Sequence, residues 1–305
     1  MENMNNSKEN KFYAIIILYN PDSLDLTISN IENLRKSNIH TFIYDNSQNA
    51  DVRKKNRNTI VNTFNDVHYF DSQGENNGLS YAYNFIIEKL FEEQVDLNSG
   101  ICFFDQDSEI NFDSIASLIQ NYLTLLERDD FGFISGFPMR KDGKPYRIRE
   151  VSPKSNNNHY IEVYQAPSSF SLIPLRTFKH IGLFQKDFFI DHIDMDFSLR
   201  CRLAGKKIIT LRNATFIHDI GIGNVELGGR FLFPYGHPQR HYYQVRNMIL
   251  SLKRSHQSNT KIIKETFVRF SIVLITGAFK GNFNERMKFF LKGVKHGLES
   301  KGGKL

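Results

Sequence analysis

Cysteine is nearly absent. The two that occur, Cys102 and Cys201, share no C-x-x-C spacing, so neither a zinc cluster nor a disulfide framework organises the chain, and both read as reduced core thiols. No apolar run is long enough to span a bilayer: the best candidate, residues 267–275, is interrupted by Arg269 and gives out at Gly277. The first ten residues are polar and rich in asparagine, without the apolar segment of a secretory signal. A disordered start over residues 1–10 and a cytoplasmic location are expected. Also missing are G-x-G-x-x-G and a Walker lysine, so a bound diphosphate has to be neutralised by something other than a glycine-rich loop. With 40% apolar and 24% charged residues in 305, the chain is of ordinary globular composition and long enough for one large α/β domain or two small ones.

What is present alternates. Residues 12–18 are continuously apolar and read as a strand, followed by the turn Tyr19-Asn20-Pro21 and by Leu24, Ile28, Ile31 and Leu34 on one helical face. A second strand over 41–44 ends in Asp45-Asn46-Ser47, and a polar segment and a third strand near 67–70 follow. Leu79, Ala82, Tyr83, Ile86 and Leu90 take helical spacing before a fourth strand over 101–104. This β-α-β-(α)-β-α-β order predicts an α/β fold with a parallel sheet and crossover helices. Further on, a helix over 113–126, strands over 131–136, 207–211 and 215–217, and a loop through the glycine-rich residues 221–229 are expected.

The fourth strand delivers Asp105 and Asp107 to the end where open α/β sheets bind ligands, and two carboxylates there are hard oxygen ligands for Mn²⁺ or Mg²⁺. An Asp-x-Asp arises by chance about once in such a chain; its weight comes from standing at a strand end ahead of a helix start. With Asn20 and Asp45 at two other strand ends, it predicts one polar crevice suited to the hydroxyls and metal-masked phosphates of a sugar nucleotide. A second acidic cluster, Asp191, Asp194 and Asp196, follows the apolar residues 188–190. Two of its acids fall in a helix first turn, where the dipole favours them, but that does not account for three. His218 closes the 215–217 strand and is the candidate third metal ligand. Arg240 and Arg246, on a helix starting near Pro238, either reach a diphosphate or lie on a solvated face.

Residues 253–305 carry 12 Lys and Arg against 3 acids, whereas residues 1–252 carry 27 against 30. The basicity belongs to the C-terminal stretch. Mixed with Phe267, Phe270, Phe279, Phe289 and Phe290, it predicts helices suited to an anionic membrane surface, or packed on the domain with a basic outer face.

Taken in order, Leu18-Tyr19-Asn20-Pro21, Asp45-Asn46-Ser47, Asn76-x-Gly78 with Ala82 and Asn84, Phe104-Asp105-Gln106-Asp107-Ser108, Ile193-Asp194-Met195-Asp196-Phe197 with Arg200 and Gly205, His218, and Arg240-x-Tyr242-Tyr243-x-x-Arg246-Asn247 resemble the family 2 inverting glycosyltransferases of GT-A fold, in their bacterial rhamnosyltransferase-like branch. The resemblance implies a GT-A domain with a Rossmann-like sheet over residues 11–250 and a helical extension over 251–305. It implies that Asp45 holds the nucleotide base, that Asp105 holds the ribose, and that Asp107 and His218, with Asp105, hold Mn²⁺ or Mg²⁺. Tyr19, Asn20, Asn76, Gly78, Asn84, Arg240 and Arg246 would complete the donor site. Asp194 would be the general base; the family pattern has an acid where Ile193 stands, so Asp191 and Asp194 both stand as candidates. The implied activity is transfer of rhamnose or a similar hexose from a dTDP- or UDP-linked donor to a lipid-linked cell-surface glycan, such as O-antigen or capsule, at the inner membrane face, with no nucleic-acid partner. Two other classes compete: a haloacid dehalogenase-type phosphatase, which expects its Asp pair after the first strand, and a non-catalytic basic membrane binder, which gives no reason for acids at successive strand ends.

Overall fold

The computed structural model describes residues 11–152, 159–218 and 221–305; the asparagine-rich residues 1–10 lie outside them. Strands β1 (Phe12–Leu18), β2 (Ile39–Asp45), β3 (His68–Asp71) and β4 (Gly100–Asp105) pair in parallel in the order β3-β2-β1-β4, joined by helices α1 (Asp25–Lys36), α2 (Ala50–Thr63) and α3 (Leu79–Glu92). After α4 (Phe112–Leu126), strands β5 (Phe131–Met139), β6 (Tyr160–Glu162), β7 (Ser171–Pro174) and β8 (Lys207–Ile217) extend the sheet to eight strands, with β7 antiparallel between β4 and β5. Helices α5 (Leu175–Ile181) and α6 (Ile193–Leu203) precede β8.

The continuous apolar run of β1 follows from cover on both faces. Tyr13, Ile15 and Ile17 point into one core with α3, α5 and α6; Ala14, Ile16 and Leu18 point into the other with α1 and α4. Cys102 and Cys201 are both free and buried, one in each core. Register sets Leu18 against Asp45 and Asp45 against Asp71, with Asp105 against Ile17, so the polar strand ends lie along one edge.

Three segments depart from the sequence reading. The polar segment after β2 is the helix α2, capped by the Asn49 side chain, which accepts from Asp51 N–H at 2.8 Å. It buries little besides Asn56 and Ile60, so it has almost no apolar stripe to read. The two expected strands of 207–217 are one, β8, interrupted in its pairing with β5 between Ser135 and Phe137. The glycine-rich 221–229 stretch is not a loop but the start of a hairpin, β9 (Gly223–Leu227) and β10 (Arg230–Tyr235), turned by Gly228 and Gly229 at φ +55° and +72°. Two successive positive φ values make the tight turn that matches strand twist, and glycine adopts them without strain.

The C-terminal third is helical: α7 (Arg240–Arg254), α8 (Asn259–Lys280) and α9 (Phe283–Leu298). A third core of Val245, Met248, Ile249, Leu252, Ile262, Val273 and Phe290 joins them. Helix α7 runs unbroken across residue 250, and its Leu250 belongs to the core beneath the sheet. Gly293 lets α9 sit directly on α7, because a Cβ there would stand 2.6 Å from the Tyr242 carbonyl oxygen.

Candidate active site

Side chains bind the parallel strand ends to one another. The Gln106 amide pairs with the Tyr19 main chain, accepting from its N–H at 2.8 Å and donating to its carbonyl at 3.3 Å. Asn20, at φ +42°, donates its N–H to Ser47 Oγ at 2.7 Å, and the Tyr19 hydroxyl donates to Gln48. Asn46 donates to the Gly78 carbonyl and accepts from Asn77 N–H, while Asn76 Oδ1 accepts from Gly78 N–H at 3.0 Å. Gly78 has φ +84° and packs so closely on Phe189 that a Cβ would lie 2.5 Å from its carbonyl oxygen. A cavity of about 380 Å³ opens beside these turns, lined in part by Gln48, Asn76, Asn77, Lys186 and Phe189.

At the end of β4, ligand atoms of Asp105, Asp107 and His218 all lie within 4.8 Å of one another. His218 Nε2 is 3.6 Å from Asp105, and its Nδ1 is 3.8 Å from Asp107 and 3.1 Å from Ser108 Oγ. Ser108 is in turn hydrogen-bonded to Ser169 at 2.7 Å. Two carboxylate oxygens and an imidazole nitrogen at this spacing fit a divalent cation that keeps further positions for phosphate oxygens. The Tyr83 hydroxyl donates to Asp105 at 3.4 Å from the buried side.

The second acidic cluster separates by partner. Asp191, at φ +65°, is held by Arg240 through two bonds of 2.6 and 3.0 Å, and Asn247 donates to its carbonyl and to that of Ile190. Asp196 is buried and takes Arg200 at 2.8 Å; the same guanidinium holds the carbonyls of Ile181 and Leu183. Asp194 accepts only from backbone among the described residues: the Met195 N–H reaches Oδ1 at 2.9 Å, and its own N–H also contributes. Desolvation lifts its pKa to about 6 against those backbone bonds, with Asp191 and Asp105 adding to the rise.

Tyr19, Asn20, Asn76, Gly78, Asp105, Asp107, Asp191, Asp194, His218 and Arg240 therefore come together along this edge. Three others do not reach it. Asp45 is 0% exposed, its oxygens accepting from Ser47 N–H, Asn56 and the Tyr69 hydroxyl at 2.8, 2.9 and 2.5 Å, so it props the strand end and leaves no surface for a base. Asn84 is sealed inside, bonded both ways to the main chain of Phe184. Arg246 is 0% exposed and lies neither at a diphosphate nor on a solvated face: it donates to the carbonyls of Gly303 and Asp187 and to Asn247, clamping the last residues against α7. Sequence reasoning gave no site role to Gln106 and Ser108, quoted only as part of the Asp-x-Asp motif, or to Tyr83, read as one of a helix's apolar face. It placed Arg269 only as a break in an apolar run and among the basic residues of the C-terminal helices.

No protein-family model matches the chain. It is 27% identical over 274 residues to the dTDP-rhamnosyl transferase RfbF of Shigella flexneri, covering 87% of this chain and 86% of that one. The chain has the GT-A fold, and its sequence is similar to that of a rhamnosyltransferase. The GT-A architecture is shared with the Pyrobaculum calidifontis mannosyltransferase PcManGT bound to GDP-Man and Mn²⁺, at TM-score 0.56, 8% identity, and coverage of 96% of this chain and 89% of that chain. It is shared with S. aureus TarS 1-349 bound to UDP-GlcNAc, at TM-score 0.53, 13% identity, and coverage of 95% and 81%. GalNAc-T7 with UDP, GalNAc and Mn²⁺ gives TM-score 0.59 at 13% identity; the match covers 96% of this chain but only 56% of that chain. The phosphatase alternative fails on topology, because the Asp pair of this GT-A domain ends the fourth strand in sequence. A merely basic binder is equally unsuited to the gathered acids.

Proposed function

We propose that the chain is a metal-dependent inverting glycosyltransferase that moves rhamnose or a related hexose from a dTDP- or UDP-linked donor to a hydroxyl of a lipid-linked glycan. The observation that carries this reading is the division of labour among the carboxylates: Asp105 and Asp107 stand with His218, while Asp194 is outside that cluster, without an ion pair among the described residues and with a pKa of about 6. The similarity to a dTDP-rhamnosyl transferase favours the dTDP-linked donor.

Asp105, Asp107 and His218 would hold Mn²⁺ or Mg²⁺, which when bound neutralises the donor diphosphate and stabilises the charge left on it. The Tyr19-Asn20 and Asn76-Gly78 turns line the crevice that receives the nucleotide. Asp194 takes the proton of the acceptor hydroxyl, and the resulting oxygen attacks the anomeric carbon from the face opposite the leaving group, which inverts its configuration. A carboxylate with pKa near the working pH is a stronger base than an exposed one and is still ionised at neutrality. Arg240 holds Asp191 and thereby fixes the turn from which α6 and Asp194 start.

The test is incubation of the purified protein with a panel of sugar nucleotides, with and without Mn²⁺ or Mg²⁺, read by mass spectrometry. Asp107→Asn should abolish transfer and weaken nucleotide binding at an unchanged melting temperature. Donor affinity and turnover that do not respond to either metal would sink the metal assignment.

No helix among the described residues is long and apolar enough to cross a membrane. We further propose that α8 and α9 rest on the anionic inner membrane surface, which would bring a lipid-linked acceptor to the crevice. The exposed Ile263, Phe267, Leu274 and Leu291 beside exposed Lys261, Lys264, Lys288 and Lys292 support this.

A further inference from the structure

Arg269 stands in α8 with its Nη2 3.9 Å from the sulfur of Met195, the residue next to Asp194. Among the described residues that thioether is its one side-chain bond, and no carboxylate pairs with it. Asp191, Glu265 and Asp194 are near enough to act on its charge, but among the described residues none forms an ion pair with it, and Asp191 is already taken by Arg240. The other cations of α8, Lys261, Lys264 and Lys280, are exposed; Arg269 alone is turned inward, toward α6. Burial depresses its pKa; desolvation, with the charge of Arg269 adding to it, also lowers the neighbouring His192 to a pKa of about 3.

A guanidinium presents five N–H donors in a planar fork matched to two oxygens of an anion. Leaving such a group largely desolvated with a sulfur as its one bonded side-chain partner is unfavourable, and an apolar residue would serve the helix better. An anion arriving in the crevice would satisfy it. We infer that Arg269 is a binding residue for a phosphoryl group of a substrate, reaching the crevice from the C-terminal helices beside Asp194. The identity of the anion rests on the glycosyltransferase reading, since in that reaction the donor carries a diphosphate and a lipid-linked acceptor carries a phosphate ester.

The experiment is calorimetric titration of the full chain, in the presence of Mn²⁺, with dTDP, inorganic pyrophosphate and geranyl diphosphate, comparing the native protein with Arg269→Met and Arg269→Lys. Arg269→Met should weaken at least one probe by about 10- to 100-fold, the range for losing a hydrogen-bonded charge, and Arg269→Lys by less. The melting temperature of ligand-free Arg269→Met should be equal to or above that of the native protein, which a structural arginine would not allow. A loss seen with dTDP assigns the phosphoryl group to the donor; a loss confined to geranyl diphosphate assigns it to the acceptor. Affinities within about twofold for every probe in both variants would overturn the inference. Native protein that binds pyrophosphate or geranyl diphosphate through Arg269 but not dTDP would support the inference and count against the nucleotide-sugar reading instead.

Discussion

Asp191, Asp194 and Asp196 lie within six residues, yet their surroundings give them three different parts. Asp191 and Asp196 each face an arginine, which holds them in place; Asp194 has burial and neighbouring acids instead, and these raise its pKa to about 6. Sequence could name the cluster but could not separate Asp191 from Asp194, because the separating partner, Arg240, is 49 residues away. Asp194→Asn should lower turnover roughly 10²–10⁴ fold while nucleotide binding is kept. In the native protein, turnover at saturating substrate should fall as pH drops through about 6, since the base must be ionised. Stability should move the other way. A carboxyl whose folded pKa lies above its model value of 3.8 is favoured folded when protonated, so its penalty builds between about pH 4 and 6 and is complete above. Asp194→Asn should therefore be more stable than the native protein at pH 7.5, by up to about 3 kcal/mol, and show little gain at pH 4. Denaturant titrations at the two pH values check this, and equal midpoints at pH 7.5 would refute the raised pKa. Asp196→Asn should do the reverse, losing stability with the fold of turnover loss much smaller, because it loosens the Arg200 tie between α5 and α6.

At the scale of elements, β1, β2 and β4 of the parallel half were legible because each is buried on both faces and reads as an apolar run ended by a polar turn. What stayed hidden had weak periodicity or a misleading composition: α2 has no apolar face, and the glycines of the β9–β10 hairpin looked like loop. Helices α8 and α9 were legible as helices, but their docking was not, since it depends on glycines at which α9 meets α7 and α8 meets Phe283 of α9. Arg246 illustrates the same limit from the other side, a charged residue of α7 drawn wholly inside by main-chain carbonyls that belong to distant segments. Gly293→Val tests the docking. Its added side chain would meet the Tyr242 carbonyl and the Val245 methyl, both 2.6 Å from the new Cβ, and overpacking of this kind costs about 1–3 kcal/mol. A lowered denaturation midpoint with nucleotide binding retained is the expected result, and an unchanged midpoint would mean that α9 does not rest on α7.

The whole molecule is electrically divided, and the division bears on where it works. Its excess of positive charge is confined to residues 253–305, and there Ile263 and Phe267 are 69% and 67% exposed although α8 and α9 share a core with α7. Packing and surface binding are thus compatible: one side of the pair is docked and the other still shows apolar side chains among lysines. Because α7 depends on α8 and α9 for cover, removing the segment would uncover Val245, Met248 and Ile249, and truncation is a poor test of membrane binding. Point changes on the outer side are better. Each Lys or Arg near an anionic surface contributes on the order of 1 kcal/mol, weakened by salt. The full chain should sediment with anionic liposomes at low ionic strength and be released by salt, while Phe267→Ser combined with Lys264→Glu should stay in the supernatant with its nucleotide affinity intact. Equal sedimentation of the two proteins, or of neither, would exclude the membrane surface as the partner of these helices and leave the fold and its acidic crevice as they are.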